Sequence, residues 1–161
     1  MREIEFRGKA LDDDKFFKIK KDDWIFGNYS YDKLTNKYYI EDTTGEDIKT
    51  IEVITESIGQ YTGLCDKKGT KIFEGDIVRV TIKYEDYDWD GQYKKHTNKL
   101  IGKVVYEKNA FVIDSKTRSF DFIDKQTIDV QRDSTTYYYT YEVTGNIHDN
   151  PELLGVKDVK N

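Results

Sequence analysis

Glu85, Asp86, Asp88 and Asp90, followed by Gly91, set carboxylates at nearly alternate positions ahead of a glycine, a pattern in which a loop can wrap a divalent cation. An EF-hand also needs a bidentate glutamate at its closing position, and none stands at that spacing, so a solvated loop is the simpler assignment. Glu74 and Asp76 flank Gly75 and could share a proton or a cation. With no histidine or third ligand close in sequence, a turn in which Asp76 accepts backbone amides accounts for them. Cys65 has no adjacent histidine to take its proton, and the two histidines, His96 and His148, leave no Cys/His metal framework. No catalytic set is recognisable, and no cofactor is expected.

The remaining candidates bind rather than react. Gln60, Tyr61 and Thr62 place an amide, a phenol and a hydroxyl beside Gly63, where a ligand could approach the backbone, although a structural turn uses the same residues. Tyr84, Tyr87, Trp89 and Tyr93 run into Lys94, Lys95, His96 and Lys99. This set could stack on bases or insert into a partner, and aromatic self-packing is the competing reading. Arg79, Lys83 and Lys103 would offer positive charge from strand faces. Tyr137, Tyr139 and Tyr141 share one face of a strand with Tyr138 opposite; core cover with wet hydroxyls explains them, and a sticky surface is the alternative.

Positioning these residues requires strands. Ile4 and Phe6 alternate with Glu3, Glu5 and Arg7, which predicts an opening half-exposed strand that Gly8 ends. Residues 9–23 carry charge clusters around Phe16 and Phe17 and read as a loop or irregular edge. The runs from Trp24 to Tyr29 and from Lys37 to Glu41 flank a polar connection and predict a hairpin, with a further strand from Lys49 to Thr55. Asp66-Lys67-Lys68-Gly69 predicts a tight turn in which Asp66 bonds the following backbone and Gly69 takes positive φ. From Ile77 to Lys83, Val78, Val80 and Ile82 oppose Arg79, Thr81 and Lys83, a strand with an inside and an outside. Residues 84–99 read as a long loop or an extended hairpin tip. Short β-branched or aromatic runs then begin at Leu100, Asn109, Ser119 and Thr135, and Asn150-Pro151 opens one short helical turn.

Composition sets the outer limits. A chain of 161 residues holds one core of ordinary size or a small barrel with an appended sheet. Charged residues make up 35%, but 13 Tyr, 8 Phe and 2 Trp argue for a folded chain. The net charge of −5 gives no overall drive toward phosphate, so nucleic acid is disfavoured as a partner though a local basic face could exist. A single cysteine excludes an internal disulfide and suits a reducing cytoplasm. The opening MREIEFRGKALDDDKFF has no apolar run, so neither a signal peptide nor a membrane span or partner is expected.

Three ordered stretches, REIEFRG at the start, SIGQYTGLCDKKGTKIFEGDIVRV in the centre and YEVTGNIHDNPELL near the end, together resemble the YopX family of phage and prophage proteins over nearly the whole chain. The resemblance implies an SH3-like, mainly β structure with little helix and supplies no biochemical activity. The sequence departs from the usual pattern at Cys65, at His148-Asp149 and in the individual segment 84–99. The expectation is one YopX-like domain: an N-terminal antiparallel sheet over residues 1–58, an SH3-like barrel over 59–154, and a tail over 155–161. The expected function is that of a phage or prophage accessory protein in the host cytoplasm. It would be a non-enzymatic module binding a host or phage protein, with nucleic-acid binding as the alternative and self-association left open by a possible exposed edge strand.

Overall fold

A computed structural model describes residues 3–87, 90–116, 119–122 and 136–155. Mainly β structure is what it shows: eleven strands in two antiparallel sheets and two short 3-10 turns among the described residues. None of its helices is long and apolar enough to cross a membrane. The chain divides into two compact units, Met1–Leu64 with Lys71–Glu74, and Cys65–Thr70 with Gly75–Asn161.

The first unit is built on strands β1 (Phe6–Lys9), β2 (Trp24–Asp32), β3 (Lys37–Asp42), β4 (Lys49–Glu52), β5 (Gly59–Cys65) and β6 (Lys71–Phe73), in the order β4-β3-β2-β1-β5-β6. Alternation decides which side chains meet. On one face Ile25, Ile40, Ile51 and Val53 close around Ala10, with Phe6, Phe17, Ile19, Tyr38 and Ile58 packed against them. β1 runs through Gly8 to Lys9 instead of ending at Gly8, and the cluster reaches residues 10–23, which are irregular as expected and are held by the isolated bridges Ala10↔Val53 and Asp14↔Ile19. On the other face the Arg7 guanidinium lies 4.5 Å from the Trp24 ring centre and 5.0 Å from that of Phe73, and Arg7 Nη2 donates to Glu74 O at 3.2 Å. Arg7 is 7% exposed, so its planar cation is stacked between rings instead of hydrated. Nothing in the half-exposed alternation of residues 2–7 predicts that burial.

Two boundaries differ from the pattern-based expectation. β2 extends three residues into the polar connection, to Asp32, and the turn of the β2–β3 hairpin shrinks to residues 33–36, with Asn36 at φ 57. The strand from Lys49 stops at Glu52, because Thr55–Ser57 forms a 3-10 turn in which Ser57 Oγ donates to Ile54 O and accepts from Lys9 N. Strands β5 and β6, expected in a barrel, complete the sheet of the first unit. A Cβ at Gly59 would lie 2.4 Å from Glu74 O, so only glycine permits the approach of the chain there.

The second unit carries β7 (Asp76–Tyr87), β8 (Tyr93–Glu107), β9 (Ala110–Asp114), β10 (Ser119–Asp121) and β11 (Thr136–Asn146), in the order β10-β9-β8-β7-β11. Four strands form a meander and the fifth returns beside the first. No pairing joins β10 to β11, so among the described residues the sheet is open and closes no barrel. Val78, Val80 and Ile82 on β7, Leu100 and Val104 on β8 and Ile113 on β9 are buried on one face, as the alternation in β7 predicts. Residues 84–99 are an extended hairpin and not a long loop: β7 continues to Tyr87 and β8 begins at Tyr93, in register from Ile77↔Lys103 to Tyr87↔Tyr93. Of the residues that interrupt the apolar pattern, Tyr84 stacks on His96 and Glu85 pairs with Lys95 across the two strands.

Residues 65–70, between β5 and β6, belong to the second unit and are organised by Asp66. Its Oδ1 accepts from Lys68 N at 2.7 Å and Thr70 N at 3.0 Å, Gly69 N donates to Asp66 O, and Gly69 sits at φ 86, as the sequence predicts. The other oxygen, Oδ2, accepts from Val143 N on β11 at 3.1 Å. Burial works to raise the Asp66 pKa, but the amides of Thr70, Lys68 and Val143 together hold it below its ordinary value. A folded-state carboxyl that titrates below its unfolded value near 3.8 stabilises fully above that value, and the stabilisation is lost as pH falls through the folded one. Asp66→Asn turns one acceptor into a donor and should cost about 1–3 kcal/mol near neutrality. Urea unfolding should show that gap narrowing below about pH 4; a gap independent of pH would contradict this role for the charge.

Candidate functional site

The sequence candidates fall into separate places. Gln60, Tyr61 and Thr62 lie in β5 of the first unit. Tyr61 and Thr62 are buried, and the Thr62 hydroxyl donates to Ile72 O at 2.8 Å. Tyr61 rests against Phe73 with ring centres 5.5 Å apart and lies under the Lys71 ammonium at 5.2 Å. Lys71 is held by Glu5 and Glu3, and those carboxylates push its pKa up. These contacts serve the sheet itself. Glu74 and Gly75 form a tight turn with Gly75 at φ 82, and Asp76 is buried at the start of β7. No group of three or more His, Cys, Asp or Glu among the described residues is placed to hold a metal ion.

Arg79, Lys83, Tyr93, Lys94 and Lys95 all lie on the β7–β8 hairpin. Trp89 is outside the described residues, and of Tyr87 only the backbone pairing with Tyr93 is described. Near the end of the hairpin the side chains are exposed on both faces: residues 91–95 and 97–99 all reach solvent, Tyr93 at 47%. The arm is stiffened from within. Tyr84 stacks on His96 with ring centres 4.7 Å apart and planes 13° apart, and Tyr84 also meets Tyr137 at 5.1 Å. The Tyr93 hydroxyl and then the Lys95 ammonium hold the Glu85 carboxyl below its usual range, and the Lys95–Glu85 pair spans 3.2 Å. Of the aromatic residues weighed from the sequence, Tyr84 packs inward, as self-packing predicts, and Tyr93 is exposed.

The outward face of this sheet is a second concentration of polar chemistry. Register places Tyr138, Lys83 and Thr97 in one row, Thr140, Thr81 and Lys99 in the next, and Glu142, Arg79 and Ile101 in a third. Lys95 and Lys99 of the basic run thus share one surface with Arg79 and Lys83, whereas Lys94 and His96 have the opposite parity. Glu142 accepts from Lys67 at 2.9 Å, from Lys68 at 2.8 Å and from Arg79 at 3.4 Å, so three cations share one carboxylate. Lys103 is paired with Asp114 at 3.8 Å, and both line a surface depression of about 420 Å³ with Ile101, Ser115, Lys116 and Leu154. Tyr138 is 55% exposed, while Tyr137, Tyr139 and Tyr141 on the opposite face are half-buried as core cover. Lys67, Lys68 and Glu142 could not be recognised as neighbours from sequence, because their proximity depends on the Asp66 turn meeting β11. The one available signal was the parity of Arg79, Thr81 and Lys83.

The profile of the YopX protein family matches residues 5–155. Curated proteins give no match. Among solved structures, the crystal structure of protein EF1440 from Enterococcus faecalis is 23% identical over 96% of this chain and 99% of that one, with a TM-score of 0.40.

Hydrogen bonds from Lys68 and then Lys67 bring the Glu142 pKa down to about 2. A side-chain NMR titration of Glu142 should find its midpoint there, and Lys67→Met with Lys68→Met should return it toward the ordinary 4.5. A wild-type midpoint already in the ordinary range would show that the cluster does not form in solution.

Proposed function

The chain belongs to the YopX protein family, and from that footing we propose that it is a non-enzymatic protein-binding module, an accessory protein of a phage or prophage acting in the cytoplasm of the bacterial host. The observation that carries this reading is the β7–β8 arm, whose end is stiffened by its own cross-strand pairs yet exposed on both faces. A rigid element that presents Tyr93, Lys94 and Lys95 loses little conformational freedom on docking, and aromatic anchors dominate protein interfaces. The connectivity of the second unit, a four-strand meander with a fifth strand returning to the first, supports reading it as a partly open SH3-like barrel, a scaffold that carries function in its loops and hairpins.

Replacing residues 86–94 by an Asn-Gly turn would join Glu85 to Lys95 across a two-residue loop and leave the rest of the sheet in register. The shortened protein should keep its β-type circular dichroism and lose the partner that the intact protein retains in quantitative affinity capture from host lysate. A purified candidate should then titrate against the intact chain and not against the shortened one. Equal capture by both proteins, or no specific partner together with turnover of a metabolite by the pure protein, would overturn the proposal.

A further inference from the structure

We propose that the outward face of the β7–β8–β11 sheet binds single-stranded nucleic acid, with Arg79, Lys83 and Lys99 meeting phosphates and Tyr138 stacking on a base. The chain carries a net charge of −5, yet this face runs against that balance. Arg79 and Lys83 sit two residues either side of Thr81 on β7, and Lys99 faces Thr81 from β8, so the three cations form a triangle around the hydroxyl of one threonine. Among the described residues no carboxylate pairs with Lys83 or Lys99, and the one beside Arg79, Glu142, is already shared with Lys67 and Lys68. The excess charge is therefore available to an anion.

The shape of the face selects among polyanions. The face of a sheet of three or more strands cannot enter a duplex groove as a helix or a two-stranded ribbon does, whereas unstacked bases of a single strand can lie flat on it. Tyr138, exposed beside Lys83, supplies an aromatic surface adjacent to positive charge, the pairing of features that single-strand binders use without sequence readout. Thr97, in the row of Lys83, and Thr140, in the row of Lys99, are exposed and add hydroxyl donors for phosphate or sugar oxygens. An acidic protein segment would match the charge but would leave Tyr138 without a stacking partner.

Fluorescence anisotropy with labelled oligo-dT and oligo-U of about 15 nucleotides tests this on the full chain. Binding should weaken about ten- to twentyfold between about 50 and 200 mM salt, as expected for roughly three phosphates. Lys83→Glu with Lys99→Glu should lower affinity about tenfold or more. Tyr138→Ala should lower it about fivefold or more, and Tyr138→Phe should retain it. Circular dichroism checks that each variant is folded, and Lys83→Gln with Lys99→Gln provides a milder version if the charge reversal disturbs the sheet. The protein shortened at residues 86–94 should still bind, which separates this surface from the protein-docking arm. No binding at low salt, undiminished binding by the charge variants, or equal competition by a duplex or by polyglutamate would overturn the proposal, the last outcome pointing to an acidic protein instead.

Discussion

The buried carboxylate of Asp66 is the interaction on which the second unit depends. A strand at the edge of a sheet presents unpaired amides and carbonyls, and β11 occupies that position beside β7. The turn at residues 65–70 meets that edge: Asp66 Oδ2 accepts from Val143 N, and Lys67 N donates to Tyr141 O at 3.0 Å. The same carboxylate closes its own turn through Lys68 N and Thr70 N, so one side chain shapes a loop and caps a strand 77 residues away in sequence. That is the physical content of the two distant glycine-bearing stretches in the sequence. The first builds the turn, the second supplies the strand edge, and neither has a reason for its residues without the other.

What the sequence makes legible follows from the range of each interaction. The Asp66 turn, the β2–β3 hairpin and the inside and outside of β7 rest on contacts within a few residues, and alternation or turn chemistry reports them directly. Arg7 is the opposite case. Its burial needs Trp24 from β2 and Phe73 from β6 to arrive on the same face, and a basic residue in a half-polar alternation carries no trace of that. The assignment of β5 and β6 to the first sheet is hidden for the same reason, because short apolar alternations are compatible with either neighbour and only register decides. The segment 84–99 falls between these cases. Its apolar period breaks, but a stack of Tyr84 on His96 and an ion pair of Glu85 with Lys95 hold strands together as well as apolar pairs do.

Net charge misleads about this protein in a specific way. It is a sum over the whole surface, while electrostatic recognition depends on which signs share a face. The carboxylates that outnumber the cations are spread through the chain, and several are spent on single partners: Glu52 on Lys37, Asp42 on Lys49, Glu3 and Glu5 on Lys71. On the outward face of the second sheet the ratio inverts, and Glu142 serves three cations at once.

That inversion has an energetic side. Like charges directly opposite one another destabilise a sheet, and diagonal ones, farther apart, repel more weakly. Lys99 lies diagonal to both Arg79 and Lys83, with threonine and not a carboxylate at the position directly opposite. A chain with 31 acidic residues has no shortage of glutamate to place at Thr81 or Thr97, where an exchange would relieve the repulsion and would favour the fold alone. Threonine satisfies the strand through its β-branch and leaves the surrounding positive potential intact. The face therefore keeps a positive potential that a charge-balanced one of the same composition would cancel.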